Sequence, residues 1–141
     1  MREILFRGKR LDNGEWIYGD LVNANEMRTG ARRVEIWVPQ PDGVCDPWNL
    51  EYGVVDPDTV GQYTGLLDKN GIKVFEGDII KIDDSFRLER VVFEIGCFYG
   101  QEKIPAGYNL KPLEAYCYAH GPVMEVVGNT YDSSDKLSAL Q

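Results

Sequence analysis

Asp68-Lys69-Asn70-Gly71-Ile72-Lys73-Val74-Phe75-Glu76-Gly77-Asp78-Ile79-Ile80-Lys81-Ile82 is the stretch that decides the fold class. Asn-Gly is the favoured pair where two consecutive hairpin residues take positive φ, and apolar runs flank it here. Ile72 to Phe75 therefore reads as a strand leaving a hairpin tip. Gly77-Asp78 reads as a second turn and Ile79 to Ile82 as the next strand. The same grammar stands upstream, where Ile4-Leu5-Phe6 and Glu15-Trp16-Ile17-Tyr18 flank Leu11-Asp12-Asn13-Gly14 and lead into Gly19-Asp20-Leu21-Val22. Both residues of Asn13-Gly14 and of Asn70-Gly71 are expected at positive φ. An internal duplication would produce this recurrence, but two separate uses of common turn dipeptides is the simpler account.

Working outward, Arg33 to Val38 alternates, with Val34, Ile36 and Val38 on one face and Arg33, Glu35 and Trp37 on the other, as a half-buried strand does. Four of the seven prolines then fall between residues 39 and 57, which sets a boundary between an N-terminal part, 1–55, and a C-terminal part, 56–141. Leu88 to Phe93 reads as a strand, and Ile95-Gly96 and Gly100 mark turns or bulges. Residues 101–112 are polar with Pro105, Gly107 and Pro112, and read as a long loop. Leu113 to Tyr118 is ambiguous: Pro112 suits a first helical turn, whereas Tyr116 and Tyr118 alternating about Cys117 favour a strand. Val123 to Val127 is a further strand, and Ser133 to Leu140 reads as a short capped helix. The chain is thus expected to be mainly β, with a hairpin-rich N-terminal part and a small five-stranded SH3-like barrel or roll over about 56–132.

Composition narrows function by exclusion. With 141 residues, 43% hydrophobic and 27% charged, the chain has enough apolar side chains to fold. A net charge of −8 argues against general affinity for nucleic acid or an anionic membrane. Cys45, Cys97 and Cys117 are odd in number and widely spaced, so free thiols in a reducing cytoplasm are expected. No secretory h-region opens the chain, and no apolar run approaches the roughly 20 residues that span a bilayer. His120 with Cys97 or Cys117 would make a nucleophile–base pair, but Ala119-His120-Gly121-Pro122 is a turn sequence and the solvated-turn reading is preferred. Glu76, Asp68, Asp78, Asp83 and Asp84 crowd the second hairpin without the motif that would make them a magnesium site. No cofactor is expected.

Phe6-Arg7-Gly8-Lys9-Arg10, Gly14 to Leu21, Thr59-Val60-Gly61-Gln62-Tyr63-Thr64-Gly65-Leu66, Asp68 to Gly71 with Phe75 to Ile79, and Val127 to Asp132 resemble the YopX family of phage and prophage proteins, in order and nearly end to end. Residues 23–55 and 101–122 carry no part of the match. The resemblance implies a β-rich protein with an SH3-like C-terminal part, encoded by a phage or prophage and working in the cytoplasm of the bacterial host. It brings no catalytic residues.

Two groups are candidate binding residues. Gln62, Tyr63 and Thr64 lie between Gly61 and Gly65, which permit close backbone approach, although a glycine-punctuated crossing between the two parts with a packed Tyr63 is the preferred reading. Arg7, Arg10, Arg32 and Arg33, with Trp16, Tyr18 and Trp37 nearby in sequence, would suit a nucleic-acid face. Residues 1–33 hold seven positive and five negative side chains, so a mixed-charge surface or a contact between subunits is the plainer reading. The function expected is binding, either to a phage or host protein or to a second copy. A nucleic-acid-binding module and a small enzyme of unrecognised type are the alternatives.

Overall fold

The computed structural model describes residues 1–83, 86–117 and 120–132. The chain divides into two compact units, Met1–Gln62 and Tyr63–Gln141.

In the first unit, β1 (Phe6–Lys9), β2 (Trp16–Asn25), β3 (Arg32–Trp37) and β4 (Tyr52–Val54) pair antiparallel in the order β4-β3-β2-β1. Gly61 and Gln62, which open β5 (Gly61–Leu67), add to the free side of β1 opposite Arg7 and Phe6. One sheet face is apolar: Ile17, Val34, Ile36 and Val55 are buried there, with Phe6, Leu21, Val38 and Val60 around them. The alternation read from Val34 and Ile36 is therefore real, and the period of two is what delivers these side chains to one side. Asp56 opens a 3-10 helix, Pro57–Thr59, by accepting the Asp58 amide, and Thr59 Oγ1 accepts the Lys9 amide at 2.8 Å.

In the second unit, the remainder of β5 pairs with β6 (Lys73–Phe75). A five-stranded antiparallel sheet follows, built from β7 (Asp78–Ile82), β8 (Leu88–Glu94), β9 (Cys97–Ile104), β10 (Gly107–Pro112) and β11 (Met124–Asn129). Its order is β10-β9-β8-β7-β11, a meander whose last strand returns beside the first. The end strands β10 and β11 do not pair with each other, so the expected barrel is not closed among the described residues. Val74, Ile80, Ile82, Val91, Leu113, Tyr116 and Met124 form the core. The mainly-β class stands, and there is no α-helix among the described residues. The expected terminal helix over 133–140 lies outside them.

Two segments need comment. Residues 101–112 are not a loop: β9 and β10 continue through them, closing at Ile104↔Gly107 around Pro105-Ala106. Polar composition misled because β10 is exposed along its whole length, so nothing in it needs to be apolar. Of the two readings open for Leu113 to Tyr118, the helical one following Pro112 is the closer: Leu113–Cys117 is a 3-10 helix. At three residues per turn, Leu113 and Tyr116 fall on the same side and both are buried.

The Asn-Gly turns also differ from expectation. Gly14 and Gly71 have φ of 73° and 78°, but Ile95 is the one described non-glycine residue at positive φ, so Asn13 and Asn70 are not left-handed. Loop length is the reason. The second hairpin closes with Asp68 N–H on Ile72 O (2.8 Å), which leaves three residues between, and Gly71 N–H returns to Asp68 O (3.0 Å). A type I turn ending in one left-handed glycine closes such a loop. The first hairpin closes from Arg10 to Glu15, around four residues. The two-residue turn with both positions at positive φ occurs instead at Ile95-Gly96, between Glu94 and Cys97, with φ of 49° and 77°.

Candidate functional site

Strand register decides which sequence candidates meet. Arg7 stands opposite Tyr18, Lys9 opposite Trp16, Trp37 opposite Asp20, and Tyr52 opposite Trp37. Cross-strand partners share a face, so Arg7, Lys9, Trp16, Tyr18, Trp37 and Tyr52 all lie on the side of the first unit's sheet away from its apolar core. Arg33 and Glu35 join them, because Glu35 pairs with Val22 two positions along β2 from Asp20. Arg32 falls on the opposite side by alternation, and so does Arg10, which follows Lys9, closes the first hairpin on Glu15 and bridges Val55. Trp16, Trp37, Arg7 and Arg33 are thus gathered from the sequence candidates, whereas Arg10 and Arg32 are not.

The gathered side chains already engage one another. The Arg7 guanidinium lies 4.7 Å from the Trp16 ring centre and the Lys9 ammonium 5.7 Å from it. Trp37 stacks on Tyr52 with centroids 4.6 Å apart and planes 13° from parallel. Trp37 Nε1–H donates to Glu35 Oε2 at 2.8 Å, and Arg33 Nε–H donates to Glu35 Oε1 at 2.6 Å. Glu35 is buried beneath these partners. The hydrogen bond to Glu35 raises the Arg33 pKa further above its ordinary value. Tyr18 and Tyr52 remain 44% and 43% exposed. Sequence reading sets Tyr18 beside Trp16 and puts Glu35 on the face of Arg33 and Trp37, but it misses Tyr52, whose place needs the β3–β4 register that no local pattern encodes.

The remaining candidates hold the fold. Arg10 grips Asp12 through two bonds, Nε to Oδ1 at 3.0 Å and Nη2 to Oδ2 at 2.8 Å, which lowers the Asp12 pKa and raises that of Arg10. Arg32 donates to Asn23 Oδ1 at 3.0 Å. Gln62 is half-buried beside Phe6 in the β1–β5 pairing. Tyr63 is buried, its ring 5.7 Å from Phe75, with the Lys73 ammonium 5.3 Å from its centre. Thr64 Oγ1–H donates to Val74 O at 2.8 Å and accepts from Leu66 N–H at 3.2 Å.

Two of the crowded carboxylates, Asp68 and Asp78, are spent on backbone, and Asp84 lies outside the described residues. Asp68 Oδ1 accepts from the Asn70 and Ile72 amides at 2.8 and 2.9 Å, and its Oδ2 accepts from the Val126 amide at 2.9 Å. Asp78 Oδ2 accepts from the Phe75 amide at 2.8 Å, and Asp83 pairs with Lys69 at 3.0 Å. No group of three or more potential metal ligands converges among the described residues. Cys45 and Cys97 are exposed free thiols; Cys117 is half-buried, and burial raises its pKa.

The molecule is therefore an all-antiparallel two-sheet β protein with an aromatic face on one sheet and a hydrogen-bonded turn framework in the other unit. The chain belongs to the YopX protein family, whose match covers residues 5–138. Among solved structures it is similar to the crystal structure of a protein from Enterococcus faecalis, at 18% identity and a TM-score of 0.46, over 97% of this chain and 99% of that one. No curated protein matches the chain. No helix among the described residues is long and apolar enough to cross a membrane.

Proposed function

We propose that this chain is a phage or prophage accessory protein that acts in the bacterial cytoplasm by binding another protein through the aromatic face of its first sheet. The observation that carries this reading is the placement of Trp16, Tyr18, Trp37 and Tyr52 on one face of a hydrogen-bonded sheet, with Tyr18 and Tyr52 still open to solvent. Aromatic side chains on a rigid support offer large contact area at little entropic cost, and they are enriched where proteins meet. Stacking of Trp37 on Tyr52 and its bond to Glu35 pre-orient the surface, which cuts the cost of ordering it on contact.

Nucleic acid is the second reading, and the ion pairs weigh against it. Arg33 is committed to Glu35 and Arg10 to Asp12, so a phosphate would have to displace a carboxylate at each. The whole chain also repels a polyanion at −8. The test is affinity capture from phage-infected host cells with the wild type and with Tyr18→Ala, an exposed position whose truncation leaves the core intact. A partner recovered with wild type and lost with Tyr18→Ala is expected. Equal recovery by both proteins overturns the assignment of the face. Tight binding of single- or double-stranded DNA in an anisotropy titration at physiological salt, weakened by Arg33→Ala, would promote the second reading.

A further inference from the structure

The five-stranded sheet of the second unit has two edges, and they are treated differently. Along β11, the Val126 amide is taken by Asp68 Oδ2 at 2.9 Å and the Met124 carbonyl accepts the Lys69 amide at 3.0 Å. The 68–72 hairpin tip thus caps that edge. The opposite edge is β10, six residues long, with every residue exposed and no strand beyond it among the described residues. An antiparallel strand directs alternate amide and carbonyl groups to each side, so those facing away from β9 are left as a template for another strand.

Natural edges are commonly guarded by a lysine. The one charge on β10 is Lys111, and its ammonium lies 4.7 Å from the centre of the Tyr116 ring, turned onto the sheet's own core side. The guard is folded away. Tyr108 and Leu110 stand 59% and 38% exposed on the other side of the same strand.

We infer that β10 is the dimerisation edge of this protein, pairing antiparallel with β10 of a second copy about a twofold axis to continue the sheet across both chains. The capped β11 selects this occupant. A head-to-tail β10–β11 contact would build an open filament, and the Asp68 and Lys69 bonds obstruct it. An edge strand meeting its own copy antiparallel is self-complementary and closes after two chains. With Lys111 held on Tyr116, the pairing brings no like charges face to face, and Leu110 near the strand's midpoint comes close to its own symmetry mate. Tyr108 and Leu110 then supply apolar contact on either side of the axis. This inference concerns a different surface from the aromatic face and does not depend on it.

Sedimentation of the full chain over micromolar concentrations tests the inference, with three samples beside wild type: Leu110→Lys, Leu110→Glu, and the two variants mixed in equal amounts. Wild type is expected at twice the 16.0 kDa chain mass. Each variant alone should shift to the monomer mass, because like charges meet across the axis, and the mixture should return to the dimer mass, because opposite charges then meet. A folding defect cannot produce that recovery. A monomeric wild type, or a dimer that both charged variants leave intact, overturns the inference. Neither result touches the proposed partner face, which the Tyr18→Ala capture tests separately.

Discussion

The Tyr116 hydroxyl donates to the Glu89 carboxylate, lying 2.7 Å from Oε1 and 2.6 Å from Oε2, across the Cα of Gly100. Both residues are buried, and the bond ties the 3-10 helix to β8 over the intervening strand. Arg87 approaches the same carboxylate at 3.5 Å. A Cβ on residue 100 would lie 2.8 Å from Glu89 Oε1 and 3.3 Å from the Tyr116 ring, so the strand must be bare there. Gly100→Ala is expected to cost about 1–3 kcal/mol by overpacking, read as a lower urea midpoint with unchanged slope.

The same pair gives an alkaline prediction. Burial, then the bond to Glu89, raises the Tyr116 pKa well above the ordinary tyrosine value of about 10. Because the folded state holds this proton more tightly than the unfolded chain, the linked stability is whole below pH 10.0 and declines as pH rises beyond it. In Tyr116→Phe this component of the decline should vanish, while stability near neutrality drops by about 1–3 kcal/mol because a buried carboxylate loses its donor. Urea titrations at stepped pH compare the two proteins. Parallel alkaline slopes would contradict the assignment.

Asp68 holds three backbone amides of the second unit on one carboxylate. Asp68→Asn keeps the shape but offers an amide NH2 to one of those donors. A loss of about 1–3 kcal/mol is expected, together with faster hydrogen exchange at Val126 or at Asn70 and Ile72, according to which side the new NH2 faces.

Gly71 and Asn70 should respond unequally. Gly71→Val places a β-branched residue at φ of 78° and is expected to cost about 1–3 kcal/mol. Asn70→Ala, at a position without positive φ, should shift stability by less than about 0.5 kcal/mol. Comparable losses at both sites would restore the two-residue turn that the structure replaces.

Ile95 holds φ of 49° and is 89% exposed, so the fold draws little burial from it and bears its strain. Ile95→Asn should raise stability by about 1 kcal/mol, since left-handed backbone penalises β-branched residues most and asparagine least after glycine. Thermal unfolding of the variant reads the gain directly.

Period-two alternation at Val34 and Ile36, the Asn-Gly turns and the absence of helical periodicity were sufficient by themselves to determine a mainly-β protein, because strand formation and turn placement are governed by neighbours a few residues apart. They also marked Trp16, Trp37, Arg7 and Arg33 as notable. Only the tertiary structure decided what those residues do. Tyr52 reaches Trp37 only through the pairing of β4 with β3, whereas Glu35 joins Arg33 and Trp37 within one strand, at the two-residue spacing of the alternation. Asp68 serves Val126 at a separation of 58 residues, and Tyr116 serves Glu89 at 27. The exposed β10 was invisible as a strand, because an edge that buries no side chain carries no hydrophobic signal. Its existence rests on the ladder that β9 offers it. Local steric and solvation preferences write the elements into the chain, whereas register and burial arise when those elements meet.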